Sequence, residues 1–92
     1  MIKNKQNILI VDDDHAVLTS LKKLLAINDY EADCATGGEE AICRINQKEY
    51  DLILLDLHMP QVNGYDVMQH IKAIDQKPAV VIICGETSFE SD

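Results

Sequence analysis

Four carboxylates could carry the chemistry of this 92-residue chain. Asp12, Asp13 and Asp14 follow the apolar run Ile8-Leu9-Ile10-Val11, and Asp56 follows Leu52-Ile53-Leu54-Leu55. If the two runs are neighbouring strands, their acidic ends converge on one point. Carboxylates packed together in a partly buried place repel, which raises their pKa values unless a cation neutralises them. A hard divalent cation with oxygen ligands suits such a site. Mg²⁺, which is content with one or two carboxylates plus waters, fits best, and Mn²⁺ can replace it. With its charge screened, Asp56 can approach an anionic phosphoryl donor and attack it as a nucleophile, giving an aspartyl phosphate. Taken alone, the acidic triplet could equally cap a helix. Two acidic strand ends meeting at one place favour a metal site over that reading.

The elements that must position these groups alternate between two patterns. Continuous apolar runs occur at Ile8-Leu9-Ile10-Val11, Leu52-Ile53-Leu54-Leu55 and Ala79-Val80-Val81-Ile82-Ile83. Such runs suit strands buried on both faces of a parallel sheet. Tyr30-Glu31-Ala32-Asp33-Cys34-Ala35 alternates polar and apolar residues, as an edge strand does. Helical spacing joins Val17, Leu18, Leu21, Leu24 and Leu25, with Asp14 as N-cap. A second helix carries Ala41, Ile42 and Ile45, with Glu39 and Glu40 in its first turn. A third carries Val67, Met68, Ile71 and Ile74, opening near Asn63-Gly64 and closing before Pro78. The order β-α-β-α-β-α-β, with right-handed crossovers, gives an open parallel sheet with helices on both faces. Ligands of such sheets bind at the carboxyl ends of the strands, where strand order switches.

Composition narrows the class. Hydrophobic residues make up 47% and charged residues 26%, as in a folded single domain. Sixteen acidic residues against eight basic ones give a net charge of −8, which argues against nucleic-acid or anionic-membrane surfaces. No apolar run approaches the roughly 20 residues of a membrane span. The basic start, Met1-Ile2-Lys3-Asn4-Lys5-Gln6, is read as a tail over residues 1–6 and not as a signal peptide. Cys34, Cys43 and Cys84 lack CxxC spacing and stand in apolar settings, which predicts reduced core thiols in a cytoplasmic protein.

Ile8 through Asp14 (ILIVDDD), Asp51 through Pro60 (DLILLDLHMP) and Gly64 together resemble the receiver domain of two-component response regulators, the CheY-like family. The resemblance covers residues 7–92 and implies a doubly wound parallel sheet in the order 2-1-3-4, with the fifth strand and last helices missing. It implies Asp56 as phosphoacceptor, with a histidine kinase or phosphotransfer protein as donor. It implies a Mg²⁺ site from Asp12, Asp13, Asp56 and the backbone carbonyl of His58. Pro60 and Gly64 match the turn that shapes the loop after the phosphoacceptor. Cys84 stands where the family carries a switch Thr or Ser, and a thiol is a weaker hydrogen-bond donor. His58 and Glu86 match positions that flank the phosphoryl group, and both also suit solvent-facing loop residues. His15 and His70 are read as surface residues, and Tyr65 and Met68 as packing residues.

Two other readings stand beside the receiver. One is a phosphorylation-independent interaction or dimerisation module, pairing through the exposed edge of the fourth strand. The other is a haloacid-dehalogenase-like phosphatase, with Asp12 as nucleophile and Asp14 as acid. That second reading leaves the D-x-x-M-P stretch unexplained.

Overall fold

The computed structural model describes residues 6–57, 64–74 and 78–83. Its elements are β1 (Ile8–Val11), α1 (His15–Ile27), β2 (Ala32–Ala35), α2 (Gly38–Gln47), β3 (Leu52–Asp56), α3 (Gly64–Lys72) and β4 (Ala79–Ile83). The four strands form one parallel sheet in the order β2-β1-β3-β4. This is the doubly wound order that the resemblance implied.

Strand alternation splits the core into two layers. Leu9, Val11, Ile53 and Leu55 face one way and pack with Ala41 and Ile45 of α2 and Val67 and Ile71 of α3. Ile8 and Ile10 face the other way and pack with Leu18 of α1 and Ala32. β1 lies between β2 and β3 and is buried along its whole length. That explains its unbroken apolar sequence.

β4 has the composition of a strand covered on both faces, and its exposure agrees with the expectation of an open fourth-strand edge. Val81 is 49% exposed and Ile82 43%. The cause is position: β4 pairs only with β3, and no described element lies along its outer edge. Val80, in register with Ile53, is packed against the core.

The helices follow their predicted stripes with three corrections. Leu24, assigned to the inward stripe of α1, is exposed, whereas Leu18 is buried and Leu21 and Leu25 pack partly against the second layer. Cys43, expected in the core, is exposed on α2. Ala41 and Ile45 define the inward face, and a residue midway between them points outward. Tyr65, expected to pack, is 60% exposed. It stands two residues before buried Val67, on the far side of α3. Met68 does pack against the core. His70 is also more than a surface residue, since its Nε2 lies 2.8 Å from Asn46 Oδ1 and ties α3 to α2.

β2 begins at Ala32 and not at Tyr30 because the preceding residues finish α1. Asn28 is the C-cap, Asp29 has φ 69°, and the Asp29 and Tyr30 amides donate to Ala26 and Leu25 carbonyls at 3.0 and 2.9 Å. This is the left-handed helix stop that glycine usually supplies. Asp29 adopts it against a steric cost that glycine lacks. Asp29→Gly is therefore expected to stabilise the fold by about 0.5 to 1 kcal/mol, read as a raised urea midpoint at unchanged slope.

α2 has an acidic start, as predicted. Glu40 accepts from the Thr36 amide at 2.9 Å and from its hydroxyl at 3.1 Å. These bonds hold the Glu40 carboxyl below its usual range. The other end of α2 is tied to the sheet edge. Tyr50 Oη donates to Asp33 at 2.6 Å, and Lys48 Nζ lies 3.2 Å from the same oxygen. The Tyr50 bond is the main reason that Asp33 stays ionised to lower pH than usual, and burial with this bond pushes Tyr50 up to about 12.

Candidate metal and phosphoacceptor site

Parallel register builds the site. Val11 is level with Leu55. The next residues, Asp12 and Asp56, therefore emerge side by side at the carboxyl end of the central strand pair. Asp12 is 3% exposed and Asp56 4%, the two buried charged side chains among the described residues. Asp13 is exposed. One oxygen from each of Asp12, Asp13 and Asp56 can be chosen so that all lie within 4.8 Å of one another.

Asp14 takes no part in this group. Its carboxylate accepts from the Ala16 amide at 2.9 Å and caps α1, as the sequence predicted. Its own amide donates to Asp12 Oδ1 at 3.0 Å. The triplet thus divides its labour: one residue caps the helix and two face the site.

Asp12 binds its proton more tightly than an ordinary carboxyl. Burial is the largest cause, and the neighbouring Asp56 charge adds to it, against the opposing Asp14 amide. The donors fit a hard divalent cation. All are carboxylate oxygens, they sit within a common coordination reach, and exposed Asp13 leaves the outer side of the site open to water. A bound cation would favour the ionised form of Asp12 and offset the cost that burial imposes.

Of the remaining expected site residues, Gly64 opens α3. His58, Pro60 and Cys84 lie outside the described residues, as do Met59 and Glu86. Ile83, the residue before Cys84, is in register with Asp56.

A family model for the response regulator receiver domain matches residues 8–91. The chain belongs to that family. The receiver domain is 33% identical over 91 residues to the transcriptional regulatory protein ZraR of Salmonella typhimurium, covering 99% of this chain and 21% of ZraR. It superimposes with a TM-score of 0.78 on a CheY-like receiver domain protein from Methanospirillum hungatei. That match has 28% identity and covers 86% of this chain and 64% of the other. It also matches a chain of the solved complex between histidine kinase ThkA and response regulator protein TrrA, with a TM-score of 0.81, 32% identity, and 95% and 75% coverage. The receiver domain spans about a fifth of the length of ZraR. Membership sets aside the phosphatase reading, and the engagement of Asp14 as a helix cap removes the acid that reading needed. No described helix is long and apolar enough to cross a membrane.

Proposed function

We propose that this receiver domain accepts a phosphoryl group on Asp56 from a histidine kinase or phosphotransfer protein in the cytoplasm, with Mg²⁺ held by Asp12, Asp13 and Asp56. The observation that carries the reading is the convergence of these three carboxylates at the end of β3. An Asp56 oxygen attacks phosphorus, the bond from phosphorus to the donor's imidazole nitrogen breaks, and its electron pair stays on the imidazole. Asp56 becomes an acyl phosphate. A bound Mg²⁺ supplies positive charge that lets two anions meet. Asp56 is held largely buried at the end of β3, and the Asp14 amide fixes Asp12 beside it. The kinase as partner is supported by likeness to the ThkA–TrrA complex. The net charge of −8 gives no support to nucleic acid or anionic membrane as a partner of this segment. Incubation with a small phosphoramidate or acyl-phosphate donor, followed by intact mass, is expected to show one added phosphoryl group with Mg²⁺ and none after chelation. Equal labelling in both would overturn the metal assignment.

Exposed Val81 and Ile82 favour a second reading, a module that pairs through the β4 edge with another copy. The apolar groove of about 520 Å³ beside it, lined by Val17, Leu21, Leu54, Val81 and Ile83, adds surface for such pairing. Sedimentation of the 92-residue chain is then expected to show dimers that strengthen with salt, as repulsion between acidic copies is screened. A monomer at every concentration and salt level would contradict it.

A further inference from the structure

Asp14 joins the first turn of α1 to the carboxylate site, although its own carboxylate stands outside the cluster of Asp12, Asp13 and Asp56. Its carbonyl accepts from the Leu18 amide at 3.1 Å, and its carboxylate from the Ala16 amide at 2.9 Å. Its own amide donates to Asp12 Oδ1 at 3.0 Å. The first two bonds tie residue 14 to α1, with its backbone extended at φ −93° and ψ 110°. The third leaves the helix and ends on a buried carboxylate of the site. Asp12 is also held by β2, since its amide donates to the Ala35 carbonyl at 3.1 Å. The sheet thus fixes the backbone of Asp12, and the turn that opens α1 fixes its carboxylate.

A carboxylate free to rotate must be ordered as a cation binds, and that ordering subtracts from affinity. A carboxylate already held by a hydrogen bond avoids the loss, as with other partners that orient metal-ligating side chains. We propose that Asp14 is a positioning residue for the cation at Asp12, Asp13 and Asp56: its side-chain cap sets the turn whose amide holds Asp12 in place. The proposal rests on the Mg²⁺ reading above and adds a residue that does not itself ligate the ion. What matters at position 14 is the cap oxygen and not the negative charge, which is exposed and screened by water. Coupling of this kind is reciprocal. A cation on the cluster therefore tightens the cap and is felt in the first turn of α1.

Mg²⁺ titration of the full 92-residue chain, followed by the amide shifts of Asp12, Asp13 and Asp56, tests the assignment. Asp14→Ala is expected to weaken Mg²⁺ binding about tenfold, the low end for loss of a partner that orients a metal ligand. Asp14→Asn keeps an oxygen for the Ala16 amide and is expected to bind within about threefold of the wild type. Asp14→Ala also destabilises α1, so Asp14→Ala/Asp29→Gly is the control. The glycine relieves the helix stop at the far end and offsets the lost stability, but Mg²⁺ binding should stay weak. In the wild type, saturating Mg²⁺ should slow hydrogen exchange of the Ala16 amide by about the factor that separates wild type from Asp14→Ala. Wild-type affinity in Asp14→Ala, equal losses in the Asn and Ala variants, recovered affinity in the double variant, or unchanged Ala16 exchange would each overturn the proposal and leave the Mg²⁺ reading intact. No divalent response in the wild type would overturn that reading and the proposal together.

Discussion

Asp56→Asn will abolish covalent phosphorylation of the chain and leave its fold in place. An amide occupies the volume of a carboxylate but is no nucleophile at its oxygen under these conditions, so the loss should be complete. Asp56 is 4% exposed at the end of a central strand, in register with Ile83 on β4 and directly after Leu55, which is in register with Val11 on β1, so the strand around it is held. Asp12 and Asp13 remain in the variant, and neither should take over, because Asp12 is anchored by the Asp14 amide and Asp13 faces solvent. Intact mass after treatment with a small phosphodonor and Mg²⁺ is the readout, with circular dichroism as the control for folding. A phosphoryl adduct on the variant equal to that on the wild type would remove Asp56 from its assigned role.

The second large effect concerns stability. Asp12→Asn is expected to stabilise the metal-free fold by about 1 to 2 kcal/mol, the scale of no longer burying one carboxylate charge beside a like charge. In a domain of this size that is a rise of roughly 5 to 10 °C in Tm. Asn keeps the oxygen that accepts from the Asp14 amide, so the loop geometry has no reason to change. The pH dependence gives the sign independently. The folded pKa of Asp12 is raised above its unfolded value, chiefly by burial. Its contribution to stability is therefore fully present below the unfolded pKa and is lost as pH rises through the folded one. Asp33 and Glu40 work in the opposite direction. Their folded pKa values are lowered, so they add stability above their unfolded values and lose it as pH falls through the folded ones. Thermal melts of wild type and Asp12→Asn across the acid range should thus diverge most at neutral pH and converge on acidification. Mg²⁺ should stabilise the wild type by binding the folded state and should do so less in the variant. A variant less stable than the wild type without metal would contradict the electrostatic reading of the cluster.

Much of the fold and the site is legible in the sequence. Three unbroken apolar runs mark three strands of a parallel sheet, and an acidic residue after two of them marks the site. Asp14 was readable as a cap because it immediately precedes the helical stripe. What escaped the sequence depended on neighbours distant along the chain. Asp33 looked like a polar position on an edge strand, yet it is held by Tyr50 and Lys48 from the far end of α2. His70 showed no partner pattern, because Asn46 lies on a different helix. Leu24 and Tyr65 carry apolar side chains at helical spacing, but spacing alone does not say how wide the buried stripe is. The early start assigned to β2 failed because Asp29, in a left-handed conformation, does the work of a glycine that the sequence lacks.

The most direct test of the account is to locate the phosphoryl group itself. The wild-type chain is phosphorylated in Mg²⁺ by a small donor and reduced with borohydride, which converts an aspartyl phosphate to homoserine. It is then digested and sequenced by tandem mass spectrometry. The account predicts homoserine at position 56 and at no other aspartate. Homoserine at Asp12 or Asp13, or phosphate retained on a histidine, would contradict it.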